Sequence, residues 1–338
     1  MDVDRSIWAQ GLTRDFADLK AVDGVDLSIE SGRIFGFLGP NGSGKTTMVR
    51  MLTTILKPSA GSARVAGFDV SKNQGEVRER VGVALQEVGL DGLMTAREML
   101  VLQARLFRAD GDQARATAER LLTTVGLDDV DLKKRVGEYS GGMKRRLDLA
   151  LALVHEPLVL FLDEPTTGLD PVSRGSIWDE VRRLNSEKGM TIFLTTQYLE
   201  EADKLADEVA IIDRGRIVAQ GAPRALKKAI GNEVVTLSFA SDEVATRAAF
   251  ALEQLCPDRR PAGRDLLCYF ATAAGRLPEL IRVLDEAGVG LEGLTISEPT
   301  LDDVFLQATG HRMSPREQDA SAGEQQGGTV EQQGGQVS

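Results

Sequence analysis

Apolar and polar residues alternate through the first part of the chain, at Ile7–Leu12 and then at Val22, Val25, Leu27 and Ile29. A period of two marks a half-buried strand, and Asp23-Gly24 and Ser31-Gly32 supply turns between such strands. Ile34–Leu38 breaks the alternation with an unbroken apolar run, as a strand covered on both faces requires. It leads into a glycine-rich loop and then a helical stretch, Thr46–Leu56. Strand, loop and helix in that order open an α/β unit.

Residues 91–135 have a helical period instead. Thr95-Ala96-Arg97-Glu98 is a capping-box pattern before an apolar run to Phe107, and a second helix is expected over Asp112–Val125. Leu158–Leu162 and Thr191–Thr195 read as core strands around a helix at Pro171–Ser186, a β-α-β order that implies a parallel sheet. Beyond Gly221-Ala222-Pro223 the pattern starts afresh. Strands are expected at Val234–Phe239, Leu266–Ala271 and Leu291–Ile296, helices at Asp242–Leu255 and Leu277–Ala287, and a closing helix at Glu298–Gln307. The expected organisation is a domain over 1–222 with a helical insertion at about 88–150, a small α+β domain over 223–310, and a tail over 311–338. The tail has no aromatic residue and is rich in Gln, Gly, Ser and Glu, a composition that favours disorder.

A length of 338 residues agrees with two domains, and 42% apolar residues can build a core. Acidic residues outnumber basic ones by 51 to 40. A net charge of −11 disfavours nucleic acid and anionic lipid as direct partners, because both demand a basic face. The longest uncharged stretches, Ile34–Gly44 and Gly189–Leu199, have 11 residues, against the ~20 a membrane span needs. The beginning Met-Asp-Val-Asp lacks the apolar core of a signal peptide. Two cysteines, Cys256 and Cys268, make neither a disulfide framework nor a zinc site alone, and two histidines leave little room for imidazole chemistry.

The loop after Leu38 runs Gly39, Pro40, Asn41, Gly42, Ser43, Gly44, Lys45, Thr46, Thr47 and fits G-x-x-x-x-G-K-[ST] throughout. Its glycines let backbone N–H groups converge on phosphate oxygens, Lys45 reaches the β- and γ-phosphates, and Thr46 offers a hydroxyl to Mg²⁺. ATP with Mg²⁺ is the expected ligand. Leu158–Leu162 then ends in Asp163 and Glu164. A carboxylate at the strand end can hold the metal, and the next can orient and deprotonate an attacking water.

Tyr139, Ser140, Gly141, Gly142, Met143, Lys144, Arg145 and Arg146 follow the phosphate loop, with Ser140 lying 23 residues before Asp163. This run resembles the signature of ATP-binding-cassette (ABC) ATPases, usually Leu-Ser-Gly-Gly-Gln. Gln86 resembles the Q-loop residue, Gly168-Leu169-Asp170 the D-loop, and Phe16 stands where the family places an aromatic against adenine. The resemblance implies an ABC-type P-loop ATPase, α/β with a RecA-like core, a β-subdomain and a helical insertion. It implies Glu164 as catalytic base, Lys45 and Gln197 at the terminal phosphate, and Thr46, Gln86 and Asp163 around Mg²⁺. Ser140, Gly141 and Gly142 would press on the γ-phosphate bound by a second subunit, and Asp170 of the D-loop would also contribute to nucleotide binding. One phosphate loop and one signature imply pairing, as a homodimer or with a similar subunit. Gln197 replaces the histidine usual at the switch position, and neither His155 nor His311 can stand in for it.

Thr195–Asp203, Tyr139–Ala150 and Ser297–Leu306 are similar to daunorubicin-resistance-type drug-export ATPases, a branch that shares the glutamine. That implies a peripheral subunit on the cytoplasmic face of the cell membrane, energising a separately encoded permease that exports hydrophobic compounds. A soluble ABC ATPase, or a regulatory ATP binder with weak hydrolysis, is the alternative. Met94, Met99, Leu100, Leu102 and Leu106 either pack inside the helical insertion or line a groove for the permease. Asp302 and Asp303 are expected to complement a helix dipole rather than hold a metal.

Overall fold

The computed structural model describes residues 5–17, 19–86, 89–131, 133–231 and 233–310. The expected tail at 311–338, with His311, lies outside them. β1 (Arg5–Phe16) and β2 (Leu19–Glu30) form a hairpin of two long strands, then β3 (Ile34–Leu38) enters the core with all five residues buried. α1 (Lys45–Leu52) stops four residues short of the expected end, Leu56. Thr53 bonds back to Val49 O and Thr54 adopts φ 65°, which no helix continues. β4 (Ala60–Val65) and β5 (Phe68–Asp69) join the hairpin in a four-stranded antiparallel sheet of order β2-β1-β4-β5.

α2 (Gln74–Arg78) leads to β6 (Val81–Ala84), and the helical insertion follows as α3 (Ala96–Leu106), α4 (Gly111–Thr124) and α5 (Gly141–Ala152). Thr95 and Glu98 form the expected capping box, and Asp110 with Gln113 forms a second one that starts α4. β7 (Val159–Asp163), α6 (Pro171–Lys188), β8 (Thr191–Thr196), α7 (Leu199–Leu205), β9 (Glu208–Asp213) and β10 (Arg216–Gly221) complete a second sheet of order β10-β9-β3-β8-β7-β6. Its five strands from β9 to β6 are parallel, so the loops leaving β3, β8, β7 and β6 emerge along one edge. Phe35, Phe37 and Phe161 gather around Phe193 beneath that edge, with ring centroids 5.5–5.7 Å apart.

Pro223, expected only as a break, opens α8 (Pro223–Ile230) from the first turn, where its missing N–H costs nothing. β11 (Glu233–Ser238), α9 (Asp242–Ala251), β12 (Arg259–Ala262), β13 (Asp265–Phe270), α10 (Leu277–Glu286) and β14 (Gly293–Ser297) form an antiparallel sheet of order β12-β13-β11-β14. This is the split β-α-β of ferredoxin-like folds. β12 was not expected; Pro261 is tolerated there because the strand is at the edge.

α11 (Leu301–Thr309) starts after Pro299, not at Glu298, because Thr300 and Asp303 close a capping box. Tyr269 donates its hydroxyl to Asp303 at 3.1 Å. Leu301, Val304, Phe305 and Leu306 pack in one apolar cluster with Val234, Leu267 and Tyr269 of the ferredoxin-like sheet, Leu38 and Ile211 of the larger sheet, and Ala202 of α7. Among the described residues no helix is long and apolar enough to cross a membrane. Phe305 is fully buried in that cluster. Phe305→Ala is expected to cost about 3–5 kcal/mol in urea unfolding, and a loss below about 1 kcal/mol would show that the cluster collapses around the void.

Candidate nucleotide site

The phosphate loop is closed by steric necessity at two glycines. A Cβ on Gly39 would lie 2.3 Å from Ile212 O, and one on Gly44, at φ 111°, 2.3 Å from Ala21 O. Lys45 at the start of α1 turns back over the loop, donating to Gly39 O at 2.8 Å and Pro40 O at 3.1 Å. Its ammonium lies 3.3 Å from Glu164 Oε1, with both side chains 4% exposed. Gln86, just past β6, donates Nε2 to Glu164 Oε2 at 3.1 Å, and Thr167 donates to the same oxygen at 3.2 Å. Glu164 holds a left-handed φ of 49°, fixed by its N–H donating to Thr195 O at 3.0 Å and Thr195 Oγ1 at 3.1 Å. The structure thus brings Lys45, Gln86 and Glu164, which follow β3, β6 and β7, together along one edge of the parallel sheet.

Asp163 is fully buried. Its Oδ1 accepts from Thr195 Oγ1 at 2.5 Å, while Oδ2 and the nearby loop's Ser43 Oγ have no hydrogen-bond partner among the described residues. Thr46 and Thr47 are half-buried on the first turn of α1, and Asn41 and Gly42 are exposed on the loop. No group of three His, Cys, Asp or Glu among the described residues makes a metal cage. A cation here would need hydroxyl, amide and phosphate ligands beside the free oxygen of Asp163, a set that suits Mg²⁺.

Ser140 caps α5, accepting from Met143 N at 3.3 Å. Ser140, Gly141 and Gly142 form a second group with the D-loop: a Cβ on Gly142 would lie 2.9 Å from Ser173 Oγ, and one on Gly141 3.7 Å from Leu169. Asp170 caps α6, and the Ser173 hydroxyl holds its carboxyl below the usual range. Tyr139 and Met143, the two departures from the signature, pack toward the helical core, while Ser140 and Gly141 are exposed. Phe16 ends β1 at 42% exposure with the Arg14 guanidinium 4.6 Å above its ring, the face a base would take. Gln197 is half-buried just beyond β8.

Arg145 was named only as part of the signature run, with no role of its own. Thr195 left a faint signal as a polar residue ending an apolar strand. Glu201 left none.

A phosphate loop after one parallel strand and two carboxylates at the end of another, one strand away on the same sheet edge, define a P-loop nucleoside triphosphatase. Over residues 22–167 the chain matches the family model described as ABC transporter. It is 42% identical to the daunorubicin resistance ATP-binding protein DrrA2 of Streptomyces coeruleorubidus, over 91% of this chain and 96% of that one. It is 40% identical to the doxorubicin resistance ATP-binding protein DrrA of Mycobacterium tuberculosis over 90% and 94%. It is 41% identical to the Nod factor export ATP-binding protein I of Burkholderia pseudomallei over 90% and 97%. Among solved structures, cbiO1 of Clostridium perfringens, part of an ABC transporter complex, aligns with TM-score 0.61 at 27% identity over 75% of this chain and 97% of that one. A dimeric ATP-binding cassette bound to ADP and phosphate shares the fold, with TM-score 0.59 at 24% identity over 64% and 98%. The chain belongs to the ABC transporter ATP-binding subunits and is an ATPase of the drug-resistance or export type.

Behind the site, Arg145 donates to Leu85 O, Asp163 O and Pro165 O, with Asp148 3.2 Å away. Burial pushes Asp148 up to about 6 against the pull of Arg145. A carboxyl with a raised folded pKa binds its proton more tightly in the native state, so stability falls as pH rises from about 4 to about 6 and then levels. The stability gap between Asp148→Asn and wild type should therefore shift in favour of the asparagine variant across that window, read from urea midpoints at pH 4 and pH 7. A gap independent of pH would contradict the raised value.

Proposed function

We propose that this chain is the ATP-hydrolysing subunit of an exporter, driving a hydrophobic drug or antibiotic through a separately encoded integral-membrane permease. It would act as a homodimer at the cytoplasmic face of the membrane, with a cassette over 1–222 and an accessory domain over 223–310. The observation that carries the catalytic reading is the convergence of Lys45, Gln86 and Glu164 within hydrogen-bond reach. The relatives' names, for drug resistance and for export, support the transport reading.

Gly39 to Thr47 bind the phosphates of ATP through backbone N–H groups, and Phe16 offers its ring to adenine once Arg14 swings aside. Thr46, Gln86 and Asp163 would hold Mg²⁺, which when bound neutralises charge across the β- and γ-phosphates. Lys45 is held by Glu164 and two carbonyls, so a phosphate entering the loop competes for the ammonium and releases the Glu164 carboxylate. Glu164 then accepts the proton of the attacking water. Gln197 donates its amide to a γ-phosphate oxygen but carries neither charge nor proton as a histidine would. Ser140, Gly141, Gly142 and Asp170 complete the partner's site in trans. Glu164→Gln should retain ATP binding while lowering kcat at least ~100-fold; hydrolysis at the wild-type rate would remove Glu164 from the reaction. Gln197→His is expected to raise kcat, and an inactive wild type beside an active Gln197→His would favour the regulatory reading.

A groove of about 690 Å³ lies between the larger sheet and the helical insertion, lined by Leu85, Met94, Met99, Leu102, Phe107 and Leu151. Leu100 and Leu106 are not part of it: Leu100 is fully buried in the helical core, and Leu106 is exposed to solvent outside the groove. An apolar face of a cytoplasmic permease helix fits this groove. A Met94→Cys variant co-expressed with the permease should crosslink to it, and its absence from every crosslinked product would relocate the docking site.

A further inference from the structure

The two groups of site residues are joined by a short bridge. Arg174, one turn into α6, donates Nη2 to Leu169 O at 3.2 Å, holding the turn on which Gly141 and Gly142 rest. The same guanidinium lies 4.8 Å over the ring of Tyr198, the residue after Gln197. Its Nε is buried without a hydrogen-bond partner among the described residues, so the stacked ring and the Leu169 carbonyl are what orient it. α6 and α7 are locked beneath this contact. Buried Glu201 accepts from Trp178 Nε1 and Thr166 Oγ1, each at 3.0 Å, Lys204 sits 4.9 Å over the Trp178 ring, and Arg182 donates to Lys204 O. These contacts hold α6 and α7 on either side of the Arg174–Tyr198 pair.

We propose that Arg174 and Tyr198 are positioning residues that tie Gln197, in this chain's own nucleotide site, to the signature turn Ser140–Gly142 that completes the partner's. The proposal rests on the reading that Gln197 meets the terminal phosphate and that the signature acts in trans. A half-buried cation over an aromatic ring is strong enough to bias a loop without fixing the fold. Closing Gln197 onto a phosphate draws Tyr198 with it, and Arg174 carries the displacement to Leu169 and the signature.

Steady-state ATPase measurements on the full chain, with permease, test this. Arg174→Met and Tyr198→Leu should each lower kcat ~10-fold with KM for ATP within about twofold of wild type. The double variant should lose no more than either alone, as residues acting in one contact do. Tyr198→Phe, which keeps the ring, should retain at least about half the wild-type kcat. Gln197→Ala is the reference. If it lowers kcat while Arg174→Met and Tyr198→Leu leave kcat unchanged, the bridge is overturned and the switch reading stands. If Gln197→Ala has no effect, the underlying reading fails and the bridge falls with it. An equal loss in Tyr198→Phe and Tyr198→Leu, or additive losses in the double variant, also overturns it. Should Arg174→Met fail to fold, Tyr198→Leu, which spares the Leu169 bond, carries the test alone.

Discussion

Arg145 lies buried one turn into the helix that Ser140 caps, and two loops of the nucleotide edge, those leaving β6 and β7, hang on its guanidinium. It donates to Leu85 O at 2.7 Å, Asp163 O at 2.8 Å and Pro165 O at 2.9 Å. Leu85 precedes Gln86, while Asp163 and Pro165 bracket Glu164. The positions of the Q-loop amide and of the carboxylate beside Lys45 therefore both follow from one side chain on the signature helix. Burial pulls the arginine below its usual range while Asp148, Asp163, Glu201 and Glu164 support its charge. A buried cation whose donors meet fixed carbonyls is costly to disturb, because removing it orphans the acceptors it served.

The parallel sheet makes this economy of position possible. Loops leaving β3, β8, β7 and β6 start from neighbouring strands, so their spacing is set by the ladder rather than by their own sequences. Thr195 shows the consequence. It is the penultimate residue of β8, yet its hydroxyl donates to Asp163 Oδ1 and its carbonyl receives the N–H of Glu164, just past the adjacent strand. The left-handed backbone of Glu164 costs of order 1 kcal/mol or more, and these two strand-to-strand contacts hold it there.

The phosphate loop, the two carboxylates and the signature are legible in the sequence because their chemistry depends on local backbone shape. Gly39 and Gly44 cannot be replaced without a collision, and an apolar strand ending in acid is a short-range pattern. Arg145, Thr195 and Glu201 act across distances that only the fold creates. Boundaries were missed where one residue decides. Thr54 ends α1 early, Thr300 starts α11 late, and Asp110 supplies a capping box hidden in a polar stretch. The ferredoxin-like sheet was legible except for β12, whose Pro261 argues against a strand anywhere but an edge.

The departures from the ABC pattern differ in kind because they face different surroundings. Tyr139 and Met143 pack into the helical core, where size and shape matter, and stay apart from Ser140 and Gly141, which are exposed. Gln197 stands at the nucleotide edge, where the loss of an imidazole is a chemical change. His155 cannot compensate. Its ring stacks on Phe107 at 4.0 Å, its Nε2 is engaged with Val81 O, and burial lowers its basicity. Proton transfer in this reading thus falls to Glu164, and the availability of Glu164 depends on whether Lys45 holds a carboxylate or a phosphate. The buried pair at 3.3 Å then acts as a built-in restraint, keeping the base engaged until a nucleotide takes the ammonium from it.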